Sequence, residues 1–385
     1  MESFLPFFLL LFAGVVFSAL GSKLHLPWVI ALIIGGMFLG PSGFDVVQNN
    51  SVLEFIGQVG LIFLMFMAGL ETKLSSFKRF RSSVLVLAAV HGVVTFAAGI
   101  FLSYLFGFDF VTSVLIGITF LSTSVAVVVP SLEASGYTEN KLGRTVIAAT
   151  VIADILALLL LSFVLQTIQP DTALPLVLLY PLVGLALLGL RIALPLAEQF
   201  FAKFHRKNDL FQQELRSVLA VMLGTVIIFE GVGLHPIIAG FFAGLMLSDS
   251  ITSNVLMGKL RAMSYGFFIP TFFIIVGLET DLSVFHETQG AILLASVLIV
   301  GAMSAKVFSG WLGAKLGGFH SNREALLIGV ATIPQLSTTL AVVFAVSELQ
   351  LLTPGLSSAL VMLALVSTFV GPILVRAVGR RLILT

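Results

Sequence analysis

The chain has 385 residues, of which 58% are apolar and only 10% are charged, and its mean hydropathy is +1.12. A soluble domain carries about 25% charged residues, so this composition excludes a water-soluble fold and points to lipid as the solvent. A net charge of +1 offers no electrostatic signal for nucleic acid or for an acidic partner, and the absence of Cys excludes disulfides, thiolate metal sites and cysteine nucleophiles.

Charges and turn residues divide the chain into thirteen apolar spans, each near the length needed to cross a bilayer. Their approximate limits are 4–20, 26–40, 52–70, 84–106, 110–132, 143–168, 173–197, 212–231, 235–248, 262–279, 288–314, 324–347 and 355–375. The predicted class is therefore an all-α polytopic membrane protein. Glu2 stands where a secretory signal carries basic residues, so the first span reads as a membrane helix.

Lys and Arg are not shared evenly among the loops. Lys23, the Lys73–Arg81 group, Lys141, Arg144, the Lys203–Arg216 group, Lys259, Arg261, Lys315, Arg323 and the Arg376–Arg381 group all fall in every second loop or at the C-terminus. The alternate loops hold Asp45, Asp109, Asp171, Asp281, Glu287 and Glu348 instead. The positive-inside rule then predicts an inner-membrane protein with its N-terminus outside and its C-terminus in the cytoplasm.

Internal repeats come next. GLETKLSSF at 69–77 matches GLETDLSVF at 277–285 at seven of nine positions, and LSTSVAVVV at 121–129 matches LSTTLAVVF at 336–344 at six of nine. LPWVIALIIGGM (26–37) echoes HPIIAGFFAGLM (235–246) through Pro27/Pro236, Gly35/Gly244 and Met37/Met246. The matches pair spans one to six with spans eight to thirteen. The expected division is a first six-helix repeat over 1–168, a linker helix over 169–211 and a second repeat over 212–385. A shift of seven spans is odd, so the copies have opposite orientation, which is a transporter architecture.

Ionisable groups at mid-membrane cost about 2.5–3.5 kcal/mol on insertion scales and mark function. Asp154 lies near the middle of span six and Lys306 in the inner half of span eleven. Glu71, Glu230 and Glu279 sit at span ends, where solvation or capping accounts for them. His91 in span four reads as a hydrogen-bonded interior histidine, with a role in proton transfer as the alternative. Thr150 is one helical turn before Asp154 and adds an oxygen to the same face. Ser122, Thr123 and Ser124 lie at mid-span, and Pro334, Gln335, Ser337, Thr338 and Thr339 lie at the matching place in the other repeat. Pro334 removes a helical hydrogen bond, and clustered hydroxyls re-satisfy interrupted backbone in lipid. Two broken, crossing helices at the midplane are the expected ion site.

These residues resemble the bacterial monovalent cation:proton antiporters, the Kef-type and NapA-like group with the NhaA-like fold. The segments that carry the likeness are LPWVIALIIGGMFLGPSGF, LIFLMFMAGLETKL, FLSTSVAVV, AATVIADILALLLL, GLHPIIAGFFAGLMLSD, FFIIVGLETDL and SAKVFSGWLGAKLGG, which together span the chain. The resemblance implies thirteen helices, a dimerisation domain beside a core ion-transport domain, and a homodimer. It further implies that Asp154 binds the monovalent cation and the proton in turn, that Thr123 and Ser124 lie at the helix crossing, and that Lys306 is the basic residue facing the site. Ser122, Gln335, Ser337 and Thr338 form the surrounding shell.

Two departures from the group's pattern stand out. Ala153 replaces the usual Asp, Asn or Gln before the essential Asp, and IPQLSTTLA replaces a Gly/Glu-bearing segment. With Ala153 in that place, the expectation is that Lys306 pairs directly with Asp154 and that the cation competes with it. The expected function is exchange of Na⁺ or K⁺ for protons by alternating access, without a cofactor. The alternatives are a gated cation channel or ion sensor on the same fold, and an organic-anion carrier that uses Lys306. No nucleophile–base pair or metal motif suggests an enzyme, and the six His show no HxxxH spacing.

Overall fold

A computed structural model describes residues 4–72, 82–168 and 213–383, apart from 25, 49, 139, 232–233, 252 and 288–289, together with 181, 184 and 189. Apart from residues 181, 184 and 189, the predicted linker helix, span seven, lies outside the described residues. So do the Lys73–Arg81 and Lys203–Lys207 basic groups.

The described chain is helical throughout. The first half contains α1 (Phe4–Lys23), α2 (Trp28–Leu39), α3 (Ser51–Glu71), α4 (Ser82–Leu105), α5 (Phe110–Leu121), α6 (Val125–Glu133) and α7 (Lys141–Ile168). The second contains α8 (Gln213–Gly231), α9 (Pro236–Leu247), α10 (Asn254–Met263), α11 (Ile269–Glu279), the short α12 (Val284–Glu287), α13 (Ala291–Leu316), α14 (Asn322–Ala331), α15 (Ser337–Glu348) and α16 (Pro354–Ile383). When α5–α6, α10–α11 and α14–α15 are each taken as one crossing, the twelve expected spans other than span seven are all present. Among the described residues, eight stretches are long and apolar enough to cross a membrane, and α2, α9 and α15 are shorter apolar helices.

Span ten differs from expectation. It starts at Asn254 rather than near residue 262, capped by the Ser253 hydroxyl, which accepts from the Leu256 N–H at 3.3 Å. A π turn over Ser264–Phe268 then joins α10 to α11. Hydropathy stops at Lys259 and Arg261, but helical hydrogen bonding does not. Long basic side chains reach the interface while their backbone continues the helix. Arg261 meets Glu71 at 3.4 Å.

The repeats are visible as equivalent local structure. The two GLET segments end α3 and α11 in the same way: the Thr72 hydroxyl donates to the Ala68 carbonyl at 2.9 Å, and Thr280 donates to Val276 at 2.7 Å. Each motif's glycine permits a close backbone crossing. A Cβ on Gly69 would lie 2.0 Å from the Phe241 oxygen of α9, and one on Gly277 would lie 2.0 Å from the Ile33 oxygen of α2. Small residues let helices approach in this way where no hydrophobic force draws them together. The reciprocal partners are Gly244 and Gly36, whose added Cβ atoms would each fall 1.9 Å from a facing carbonyl oxygen. The structural equivalent of Gly244 is thus Gly36, one residue from the Gly35 suggested by the sequence echo.

By compactness the chain forms two units. One comprises residues 1–54, 79–161 and 273–385, and the other comprises 55–78 and 162–272. The first holds the helices around Asp154. Its apolar cluster joins α4, α6, α7, α14 and α16 through Leu87, Leu132, Val146, Ile328 and Val375, all at most 4% exposed. The outer faces of α1 and α13 carry exposed Phe8, Phe12, Val15, Leu293, Val300 and Phe308, as lipid-facing helices do.

Candidate functional site

Both hydroxyl-rich segments interrupt their helices. α5 stops at Leu121, and Ser122 and Ser124 are extended, with ψ of 144° and 107°, before α6 starts. α14 stops at Ala331 and α15 resumes at Ser337, with Pro334 in the gap. The interruptions cross. The Ser124 N–H donates to the Pro334 carbonyl at 2.8 Å, and the Ser122 and Thr339 hydroxyls lie 2.7 Å apart. Side chains satisfy much of the freed backbone. Ser122 donates to the Thr119 carbonyl at 3.1 Å, and Thr332 donates to Gly329 at 2.8 Å. On α16, Ser367 and Thr368 donate to the Gln335 carbonyl at 3.2 and 3.4 Å. This is how irregular backbone survives at membrane depth.

Asp154, on α7, is 7% exposed. Its Oδ1 accepts the Thr123 N–H at 3.1 Å, and the Thr338 hydroxyl bonds to the same carboxylate. The negative charge therefore sits at the amide side of the break, where the positive end of the α6 dipole lies. Lys306, on α13, is fully buried. Its Nζ donates to the Ser122 carbonyl and, at 3.0 Å, to the Thr123 hydroxyl. The positive charge thus sits on the carbonyl side of the same break, complementing the α5 C-terminus.

The expected direct pairing is corrected here. No Lys306–Asp154 ion pair within 4.0 Å occurs. The two charges are bridged by Thr123, whose amide serves one and whose hydroxyl serves the other. The carbonyl end of a broken helix offers the ammonium concentrated partial charge, and that contact leaves the carboxylate to the amide end. Thr123 and Thr338 are repeat equivalents that divide the work: one hydroxyl goes to Lys306 and the other to Asp154.

Thr150 is buried one turn before Asp154, and its hydroxyl has no hydrogen-bond partner, not even the usual carbonyl of its own helix. The Ser124 hydroxyl and both polar atoms of the Gln335 side chain are buried and unpartnered as well. These are three of the six described residues with such atoms, and all belong to the segments that meet around Asp154. An orphaned buried polar atom costs about 1–3 kcal/mol, so three together call for an explanation. Ser337 is 6% exposed at the start of α15. His91 is the hydrogen-bonded interior histidine that the sequence suggests: it is 2% exposed and bonded to the Thr123 hydroxyl. Glu279 is exposed at the end of α11, and Glu230 is exposed near the end of α8. Among the described residues no group of three or more His, Cys, Asp or Glu is arranged to hold a metal ion.

Two crossing broken helices in inverted repeats, with one buried carboxylate and one buried ammonium at the crossing, define a multi-pass membrane protein of the secondary-transporter class. The transmembrane sodium/hydrogen exchanger family matches residues 7–381, and the chain belongs to that family. It is 30% identical to a Na(+)/H(+) antiporter of Enterococcus hirae, over 96% of this chain and 96% of that protein. It is 29% identical to the probable Na(+)/H(+) antiporter 3 of Methanocaldococcus jannaschii, over 98% and 97%. In fold it is similar to the sodium proton antiporter MjNhaP1 of the same archaeon, with a TM-score of 0.70, 18% identity and 99% of each chain covered.

Proposed function

We propose that this protein exchanges a monovalent cation, Na⁺ ahead of K⁺, for protons by alternating access, with Asp154 holding the proton and the cation in turn. The observation that carries this reading is a buried carboxylate among orphaned oxygens. A carboxylate with nearby hydroxyl, amide and carbonyl oxygens suits a hard cation, and the unpartnered Thr150 and Ser124 hydroxyls and the Gln335 amide oxygen are oxygen ligands that a partly dehydrated cation would satisfy. The names of the two relatives favour Na⁺.

In this cycle the protonated carboxyl is neutral and stays in the desolvated site. When the site opens to water the proton leaves, the carboxylate takes the cation, and the loaded site is again nearly neutral. Crossing an apolar barrier is least costly for the neutral forms. Lys306 stays on the Ser122 carbonyl and keeps the α5 end balanced through both half-cycles. One proton then moves per cation, so the exchange is electroneutral. α4–α7 and α13–α16 form the moving core, and the remaining spans form the dimerisation side of a homodimer in the cell membrane. The N-terminus is outside and the C-terminus is cytoplasmic, as the basic loops indicate.

The test is exchange in proteoliposomes with Na⁺, K⁺, Li⁺ and Rb⁺ against an internal pH dye, with and without an imposed membrane potential. Saturable cation-driven proton movement with Na⁺ preferred is the expected result. Cation leakage without obligatory proton movement would overturn antiport, and a strong voltage dependence would overturn the electroneutral ledger.

A further inference from the structure

His91 lies on α4, the repeat equivalent of the helix that carries Lys306, and both of its ring nitrogens are engaged. Nδ1 is 2.9 Å from the Ser309 hydroxyl, and Nε2 is 3.2 Å from the Thr123 hydroxyl. The direction of each bond follows from counting hydrogens. Ser309 spends its single hydroxyl hydrogen on the Lys306 carbonyl at 3.0 Å. With that hydrogen placed on the carbonyl, its oxygen accepts from Nδ1, and Nε2 is left as the bare nitrogen.

A bare Nε2 accepts the single hydrogen of Thr123. The other acceptor in reach, the Thr332 carbonyl, is 3.5 Å away, beyond a good hydrogen bond. With its hydrogen spent, the Thr123 oxygen has lone pairs for the Lys306 ammonium at 3.0 Å. The bonds form a one-way ring. It runs from the Lys306 ammonium through Thr123 to His91, and from His91 through Ser309 back to the Lys306 carbonyl.

We propose that His91 is a positioning residue of the cation site: by holding the Thr123 hydroxyl hydrogen, it keeps that oxygen's lone pairs turned toward Lys306 and the incoming cation. Without His91 the hydroxyl is free to turn its hydrogen toward the site, where it opposes both positive charges. This inference rests on the antiport reading for its effect on transport, but the ring itself does not.

Two measurements test it. In proteoliposomes, His91→Leu is expected to raise the KM for Na⁺ about tenfold, the upper range for one neutral hydrogen bond, with a smaller change in kcat. His91→Gln, which can accept with its oxygen and donate with its nitrogen, should keep KM within about threefold of wild type on the same scale. Because His91 acts through one hydroxyl, adding His91→Leu to Thr123→Val should cause no further loss, a non-additivity that marks direct coupling. A wild-type KM in His91→Leu, additive penalties in the double variant, or His91→Gln no better than His91→Leu would each overturn the proposal.

The second measurement is independent of transport. In full-length protein labelled with ¹⁵N-histidine, the His91 signals are assigned by their loss in His91→Gln. They should show a protonated Nδ1 and a hydrogen-bonded, unprotonated Nε2 that shifts in Thr123→Val. A protonated Nε2, or no response to Thr123→Val, defeats the proposal whether or not the protein exchanges cations. Correct signals in a wild type that shows no exchange would leave the ring standing and defeat the antiport reading.

Discussion

Replacing Asp154 by Asn removes one negative charge and almost no volume. The amide oxygen can still accept from the Thr123 N–H, now 3.1 Å from Oδ1, and from the Thr338 hydroxyl. The crossing is therefore expected to fold. The cation, however, loses its only charged partner at the crossing. For a carboxylate oxygen and a monovalent cation about 2.4 Å apart in a medium of effective dielectric about 20, the attraction is about 7 kcal/mol. At about 1.4 kcal/mol per decade this is roughly five decades of affinity. The amide takes up no proton either, so both half-cycles fail together. The assay is Na⁺-driven quenching of an internal pH dye in proteoliposomes, with thermal melts in parallel. Asp154→Asn should give the signal of empty liposomes. Na⁺ should raise the Tm of the wild type by mass action and leave the variant's Tm unchanged. Exchange above about one tenth of wild type would mean a loss below about 1.4 kcal/mol, too little for the charge that holds the ion, and would refute the assignment.

Three further expectations concern individual contacts. Thr150→Val replaces an orphaned buried hydroxyl by a methyl, so it should raise the melting stability by about 1 kcal/mol while raising the KM for Na⁺; unchanged transport kinetics would remove Thr150 from the site. Gly277→Ala and Gly69→Ala put a Cβ about 2.0 Å from a facing carbonyl oxygen and should lose folded protein in size-exclusion profiles. Gly224→Ala on α8, where no described residue lies within 4 Å, should instead gain about 0.5–1 kcal/mol as a helix-interior replacement. Asp109 caps α5, and its carboxyl is held below the ordinary carboxylate range, first by the Thr112 hydroxyl and then by the N–H groups of Thr112 and Val111. Its stabilisation is present above the unfolded-state value near 3.8 and is lost as pH falls through the lower folded-state value. Asp109→Ala should therefore cost about 1 kcal/mol at neutral pH, and the difference from wild type in melts should vanish in acid.

Much of this protein is legible in one dimension because lipid is an unforgiving solvent. A charge at mid-membrane is costly enough that Asp154 and Lys306 stand out by position alone. Apolar runs of bilayer length mark the spans, and two copies of GLET and of LST reveal the repeat and the places where the helices break. Other features depend on how helices rotate and lean against one another, which a periodic apolar sequence leaves undetermined because nearly every face is equally apolar. Gly36 rather than Gly35 meets α11, and which of two adjacent glycines faces inward is a matter of helix rotation. Helix α10 runs on through Lys259 and Arg261 because backbone hydrogen bonding ignores the hydropathy of side chains that reach the interface. Above all, charge alone suggests that Lys306 should meet Asp154. The fold instead brings α13 to the carbonyl end of the α5–α6 break and α7 to its amide end. Each charge then meets the helix terminus of opposite sign, and His91 and Thr123 are drawn into a ring that no spacing along the chain could disclose.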